Sequence, residues 1–392
     1  KLISIASSHQ RATMIAWVSP LLLLQALFFG LSLAVPVTLS NEELPRDQDG
    51  KEIITGEACV LQHENAYYFY FNDWGSCPGY DCCDSKDGCW SCCFTHPPHP
   101  YAPGCESHKN GSDPYGEYHI IRAYKTTDLK VFEDLGVVLD LEHRPPGIVF
   151  RPHVVYNAMT KQFVMYYEDR SSHNGDYLVA TSDRPEGPFE TKGPVRMKGY
   201  GRIGDFDVFV DDDGTGYHVR TGFDVVKLNA SYTGVVEHMS TFKTPGAAEA
   251  PVLFKRQGLY YVLTGHGCCA CIGGSNLYVH MAKSLKGPWK YMGDIGRNPY
   301  VPWDVHKPFN YVTKSQGSTH LKITTTSGEV LYVWLGNQWN SGLSKNPPGP
   351  RNHDLLYWAA LTFEEDGSVR QLEYVSELSF DMEPLTKGTI TM

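Results

Sequence analysis

One phrase occurs twice in this chain and governs what it can fold into. Tyr177-Leu178-Val179-Ala180-Thr181-Ser182 runs into Glu186-Gly187-Pro188-Phe189-Glu190. Later, Leu277-Tyr278-Val279-His280-Met281-Ala282-Lys283-Ser284 runs into Lys286-Gly287-Pro288-Trp289-Lys290. A weaker copy, Ile120-Ile121-Arg122-Ala123-Tyr124-Lys125-Thr126-Thr127, precedes Phe132-Glu133. Each copy reads as a strand, a polar turn and an aromatic re-entry, and each follows a Tyr-rich hairpin. The other apolar runs are as short: Tyr67-Tyr68-Phe69-Tyr70-Phe71, Gln162 to Tyr167, Asp207-Val208-Phe209-Val210, Leu259 to Leu263 and Val330 to Leu335. All are bounded by Gly, Asn, Asp or Pro, as strands joined by tight turns require. No long stretch has helical period. Repeated four-stranded units predict a β-propeller. Five blades would take roughly 70 residues each, against ~40–50 for compact blades, and the surplus suits long loops on one face. The expected fold class is therefore all-β: a five-bladed β-propeller with a cysteine-rich loop insertion in the first blade.

The ends and the charge bound the setting. The chain begins at Lys1, so its first residues read as upstream sequence, with Met14 as the expected start. Leu21 to Ala34 is almost wholly apolar, too short to span a bilayer comfortably, and ends in small residues. It reads as a secretory signal within residues 1–34. Residues 35–52 then read as a polar linker, and 53–392 as the propeller. Removing the prefix takes the formal charge from −10 to −12. An acidic secreted protein is a poor partner for polyanions, which argues against nucleic acid and, after signal cleavage, against membranes. The sequons at Asn110 and Asn229 agree with a secreted, extracellular glycoprotein.

There are eleven cysteines, an odd number, so at least one sulfur is left over from pairing within the chain. Seven of them stand in the insertion, residues 75–116, and Cys268, Cys269 and Cys271 form a second cluster. An unstructured loop of that length needs staples or a function. The Cys89-Trp90-Ser91-Cys92 spacing is compatible with zinc, but in a secreted chain disulfides are the better reading. A propeller has core enough without staples. The cysteines are therefore expected to rigidify two loops on the pocket face, the insertion bridging in part to the second cluster. Cys59, on a predicted inner strand, is expected to be the unpaired one.

Several motifs, in order, resemble glycoside hydrolase family 43. They include Asp205-Phe206-Asp207-Val208-Phe209-Val210-Asp211-Asp212-Asp213-Gly214, Glu249-Ala250-Pro251 and Gly258-Leu259-Tyr260-Tyr261. Arg151-Pro152-His153, Ser315-Gln316, Tyr332 to Trp339 and Asp354 to Trp358 are similar to the exo-β-1,3-galactanase-like subfamily. The resemblance runs from about Ile53 to Phe380. It implies a sugar pocket on the propeller axis and single-displacement, inverting hydrolysis of β-1,3-galactan or arabinogalactan-type chains. A catalytically weak or inactive carbohydrate-binding propeller and an arabinofuranosidase or xylosidase are the competing readings.

Inverting hydrolysis needs a protonated carboxyl at the leaving oxygen and a base that activates water across the ring. By resemblance Glu249 is the general acid and Asp205 the carboxylate that orients it; Asp207, two residues on, is the fallback for Asp205 and a candidate substrate-binding residue. Most of the family carries an Asp base early in the first blade, and the subfamily relies on a later Gln, matched here by Gln316. Yet Glu57 stands at or beside the position of the missing Asp, so the base is either Glu57 or Gln316. Phe150 occupies a place where the subfamily often has a sugar-binding Glu. Arg151 is a candidate ligand for hydroxyl or carboxylate. Trp90, Trp303 and Trp339 could stack on sugar faces, and His266, His306 and His320 could line the axis. No cofactor is required by this chemistry. Some relatives hold a structural calcium, but no metal ligands are assigned here. The run Asp211-Asp212-Asp213-Gly214 lacks the acid that a calcium loop needs at its twelfth position, which is Gly222, and reads as a hairpin turn.

Overall fold

The computed structural model describes residues 34–73, 120–145, 149–169, 176–195, 203–246, 248–265, 275–297, 311–339, 341, 353–383 and 385. Every regular element among them is a strand. The 75–116 insertion, Trp90, Trp303, His266, His306 and the Cys268–Cys271 cluster lie outside the described residues.

The strands form a five-bladed β-propeller. Each blade is an antiparallel meander whose first strand is innermost. These inner strands are Ala58–His63, Val149–Asn157, Phe206–Val210, Glu249–Arg256 and Gln316–Thr324. Their neighbours in space are one another, in a closed ring around the axis. Blades two, three and four have four strands, and blade five has three among the described residues. Blade one carries a fifth, short strand, Arg46–Asp47, parallel to its outermost strand Val131–Leu139.

The packing follows from the period-two rule for strands. Tyr67, Phe69 and Phe71 on one face of Ala66–Asp73 join a cluster with Ile323, Leu335 and Trp358 of blade five. Tyr68 and Tyr70 on the other face join Met165, Leu178 and Phe189 of blade two. All eight residues of this strand are buried, because both faces are covered. The same arrangement recurs around the ring. Tyr166 meets Phe206 and Leu228 between blades two and three. Val219 and Phe223 meet Leu253 and Val262 between blades three and four. Phe254 and Leu263 meet Trp334 and Tyr357 between blades four and five. The core is thus five inter-blade clusters. Each large apolar side chain in it contributes roughly 1.5–3 kcal/mol by burial.

The sequence repeat is explained by this geometry. Its strand is the third strand of a blade, Asp176–Ser182 or Tyr278–Ala282, and its Gly-Pro re-enters the fourth, Glu190–Val195 or Lys290–Asp294. Gly187 and Gly287 have φ of 72° and 77°, a conformation that glycine adopts without cost. The weaker copy is the third strand of blade one, Ile120–Thr126.

One expectation is corrected. Residues 35–52 are not a free linker: Val35–Ser40 pairs antiparallel with Glu377–Met382 near the other end of the chain. Val37 and Leu39 alternate inward onto blades one and five. The apolar alternation Val35-Pro36-Val37-Thr38-Leu39 was hidden beside the longer apolar run that precedes it.

Candidate active site

Each blade brings one functional side chain to the first turn of its inner strand. Glu57 immediately precedes the inner strand of blade one, Arg151 is the third residue of that of blade two, and Asp205 immediately precedes that of blade three. Glu249 and Gln316 open the inner strands of blades four and five. Five residues far apart in sequence therefore sit at one end of one axis.

Local backbone irregularity aims them. The ladder of blade two skips between Phe150 and His153, and that of blade four skips between Glu249 and Val252. In the skipped residues Arg151 and Ala250 have φ of +49° and +56°, and each is followed by Pro. A positive φ in a non-glycine residue is strained, and such strain concentrates at functional sites. The Pro removes a ladder donor, so the strand bulges rather than pairs. Phe150 and Glu249 hold corresponding places, one residue before each strained position.

Arg151 is the hub. Its Nε lies 2.8 Å from Asp205 Oδ1 and 3.4 Å from Glu57 Oε1. Its Nη1 donates to the Gly317 carbonyl at 3.0 Å, and its backbone N–H donates to Glu57 Oε2 at 3.1 Å. Asn72 Nδ2 also donates to Glu57 Oε2, at 3.4 Å. Gln316 Nε2 donates to Asp205 Oδ2 at 3.1 Å. Burial alone would favour a neutral Arg151, but Asp205, Glu57, Glu168 and Glu249 act against it and hold the guanidinium charged. Arg151, Glu57 and Glu168 are buried, whereas Glu249 is partly exposed.

A second layer lies two residues deeper on the same strands. Cys59 is free and buried. The Val154 N–H donates to its sulfur at 3.3 Å. Asp207 is buried, with His153 Nδ1 2.9 Å from Oδ1 and the Leu253 N–H donating to Oδ2 at 2.6 Å. Burial would lower the His153 pKa, but Cys59 and Asp207 outweigh it and raise it to about 10. His320, partly buried, is pushed down to about 4 by its surroundings' poor solvation, which outweighs Asp207. Trp339 is 5 % exposed, packed into the protein. No three His, Cys, Asp or Glu side chains among the described residues are grouped to hold a metal ion. A groove of about 550 Å³ bordered by Asn157, Asp213 and Asn229 opens at the opposite end of the inner strands, away from these groups.

The fold has known counterparts. The family model for glycosyl hydrolases family 43 matches residues 111–346. The chain belongs to that family. In fold, this family 43 chain is similar to an exo-β-1,3-galactanase from Clostridium thermocellum, with a TM-score of 0.66 and 22% identity over 90% of this chain and 68% of that one. It is also similar to the exo-β-1,3-galactanase of Phanerochaete chrysosporium in a structure with galactose, with a TM-score of 0.64 and 20% identity over 89% of this chain and 70% of that one. In sequence it is 25% identical to an arabinoxylan arabinofuranohydrolase of Paenibacillus polymyxa over 60% of this chain and 39% of that protein. It is 34% identical to xylosidase/arabinosidase 43A of Humicola insolens over 32% of this chain and 38% of that protein. The family 43 chain thus spans less than half the length of these sequence relatives.

Sequence reasoning missed Asn72, Glu168 and His153. Glu168 had a signal: it follows Val164 and Tyr166 on one strand face, directly after the apolar run Phe163–Tyr167, where an acid needs a reason. It pairs in register with Phe150. Asn72 and His153 had none, since their partners come from other strands or blades.

Proposed function

We propose that this family 43 propeller is a secreted, exo-acting glycoside hydrolase that removes terminal sugars from β-1,3-galactan or arabinogalactan-type chains with inversion. The observation that carries the reading is the ring of Glu57, Arg151, Asp205, Glu249 and Gln316, one from each blade. Asp205 and Glu57 pair with Arg151, whereas Glu249, across the ring, is the partly exposed carboxyl of the set, so Glu249 is assigned the role of general acid.

The base assignment follows from what each candidate already holds. Glu57 has both oxygens turned to Arg151 and Asn72, so we assign it to anchoring Arg151. Gln316 gives its N–H to Asp205, which leaves its Oε1 for a water. In the displacement, the water oxygen bonds to the anomeric carbon and its proton passes to Gln316 Oε1. The Nε2 proton of Gln316 moves to Asp205 and leaves the imidic tautomer. Glu249 gives its proton to the leaving oxygen as the glycosidic C–O bond breaks. Asp205 then returns its proton to the Gln316 nitrogen, Gln316 Oε1 releases its proton to solvent, and Glu249 takes one up from solvent, which restores the site.

The galactan preference is supported by the named structural neighbours. An arabinofuranosidase or xylosidase preference is the second reading, favoured by the sequence relatives and by Phe150, which accepts no hydrogen bond from a sugar hydroxyl. The test is hydrolysis of β-1,3-linked galacto-oligosaccharides and of aryl arabinofuranosides and xylosides by the wild type and Glu249→Gln. Cleavage of the galactosides, reduced roughly 10²–10⁴-fold in the variant, supports the proposal. Galactoside cleavage unchanged in the variant refutes the acid assignment, and cleavage of pentosides alone selects the second reading.

A further inference from the structure

Blades one and three present matching pairs two residues apart on one strand face: Glu57 and Cys59, Asp205 and Asp207. Blades two and four present matching bulges: Phe150-Arg151-Pro152-His153-Val154 and Glu249-Ala250-Pro251-Val252-Leu253. The inner edge of an inner strand has no neighbour in the ladder, so its N–H groups need another partner. At the fourth residue after each bulge begins, the preceding blade supplies one. The Val154 N–H goes to Cys59 Sγ, and the Leu253 N–H goes to Asp207 Oδ2 at 2.6 Å. The two bonds are counterparts in place but differ in acceptor, and the carboxylate holds the strand that carries Glu249.

Asp207 is itself fixed. Its other oxygen meets His153 Nδ1 at 2.9 Å, and both side chains are buried. One carboxylate from blade three thus ties a side chain of blade two to the backbone of blade four just past the bulge. The skipped ladder leaves Ala250 and Pro251 unpaired between Glu249 and Val252, so the carboxyl of Glu249 is aimed by the anchors at either end of the bulge. Gly265 pairs with Glu249 on one side. The Asp207–Leu253 bond is the anchor on the other.

We propose that Asp207, oriented by His153, is a positioning residue that sets the aim of Glu249 toward the leaving oxygen. This rests on the reading of Glu249 as general acid. It also moves Asp207 out of contact with sugar, one layer below the site.

The experiment compares two substrates that differ in their need for a proton. A β-1,3-linked galactobiose has a poor leaving group and requires the acid. A 2,4-dinitrophenyl β-galactoside leaves without protonation. Asp207→Asn should lower kcat on galactobiose about 10–100-fold, the scale of a misplaced catalytic group. On the dinitrophenyl galactoside the loss should be less than about 3-fold, with KM for both little changed. A general structural defect would lower both equally, and that result, or no loss on either, overturns the proposal. If Asp207→Asn does not fold, His153→Leu is read on the same pair with the same expectations, while His153→Asn, which keeps a donor near Nδ1, should recover most of the lost activity. Glu249→Gln run alongside separates the two claims. If Glu249→Gln is not selective for galactobiose, the acid assignment fails. If Glu249→Gln is selective and Asp207→Asn is not, only the positioning role fails.

Discussion

Arg151 shows how one side chain organises a site it does not dominate chemically. Its guanidinium and backbone N–H fix Glu57 and Asp205, Asp205 fixes the Gln316 amide, and the amide oxygen is left for water. This order of dependence predicts different costs. Gln316→Ala should lower kcat on β-1,3-linked galacto-oligosaccharides by about 10²-fold or more, the scale of losing a proton acceptor. Glu57→Gln keeps shape and loses charge, and should lower kcat about tenfold, since Asp205 still holds Arg151. Steady-state kinetics of the two variants decides it, and the reverse order would make Glu57 the base. At this scale the sequence was informative about Glu249, Asp205, Gln316, Arg151 and Glu57, because each lies in a motif at the opening of an inner strand. It was silent on Asn72 and His153, whose roles exist only once separate strands and blades meet.

The strand is the next unit of explanation, and its irregularities matter more than its regularity. Pro152 and Pro251 break the ladders at Arg151 and Ala250, which are left out of the pairing. The edge N–H groups freed nearby are taken up by Cys59 and Asp207. The His153–Asp207 pair has a signature in pH. Its pKa is raised to about 10 by Cys59 and Asp207 against burial, from ~6.5 when unfolded. The folded state therefore holds a proton that the unfolded chain releases. The stabilisation is full below pH ~6.5 and is lost as pH rises through about 10, with a slope approaching ~1.4 kcal/mol per pH unit between. Chemical denaturation from pH 6 to 9 should show this fall in the wild type and a flatter profile in His153→Gln. Equal slopes would show that His153 is not charged in the fold. The strands were legible from short apolar runs bounded by turn residues. The bulges were half legible, as Pro inside a strand pattern.

At the scale of the whole molecule, stability resides between blades. Phe69 packs against Phe132 of its own blade and Trp358 of blade five, with ring centroids 5.2 and 6.1 Å apart. Phe69→Ala should cost about 3–5 kcal/mol in unfolding free energy. The ring is further held by the Val35–Ser40 and Glu377–Met382 ribbon, where Asn41 is the fastener. The Trp358 backbone N–H donates to Asn41 Oδ1 at 2.7 Å, Asn41 Nδ2 donates to the Val375 carbonyl at 3.0 Å, and Gln338 Nε2 donates to the Asn41 carbonyl at 2.8 Å. Asn41→Ala leaves the Trp358 N–H buried without this partner and should cost about 1–3 kcal/mol. Urea unfolding reads both, and an Asn41→Ala midpoint equal to the wild type would remove the ribbon from the account of stability. The propeller was legible because its repeat is written in turns and re-entries. The ribbon was not, because it joins segments at opposite ends of the chain and its apolar alternation is only three residues deep.

The account stands on single displacement at a site built from all five blades, and the anomer first released reports on that directly. Proton NMR during hydrolysis of a β-1,3-linked galacto-oligosaccharide follows the newly formed sugar before it mutarotates. The account predicts α-galactose first, formed roughly 10²–10⁴-fold more slowly in Glu249→Gln. β-Galactose as the first product would mean a covalent intermediate, and would contradict it.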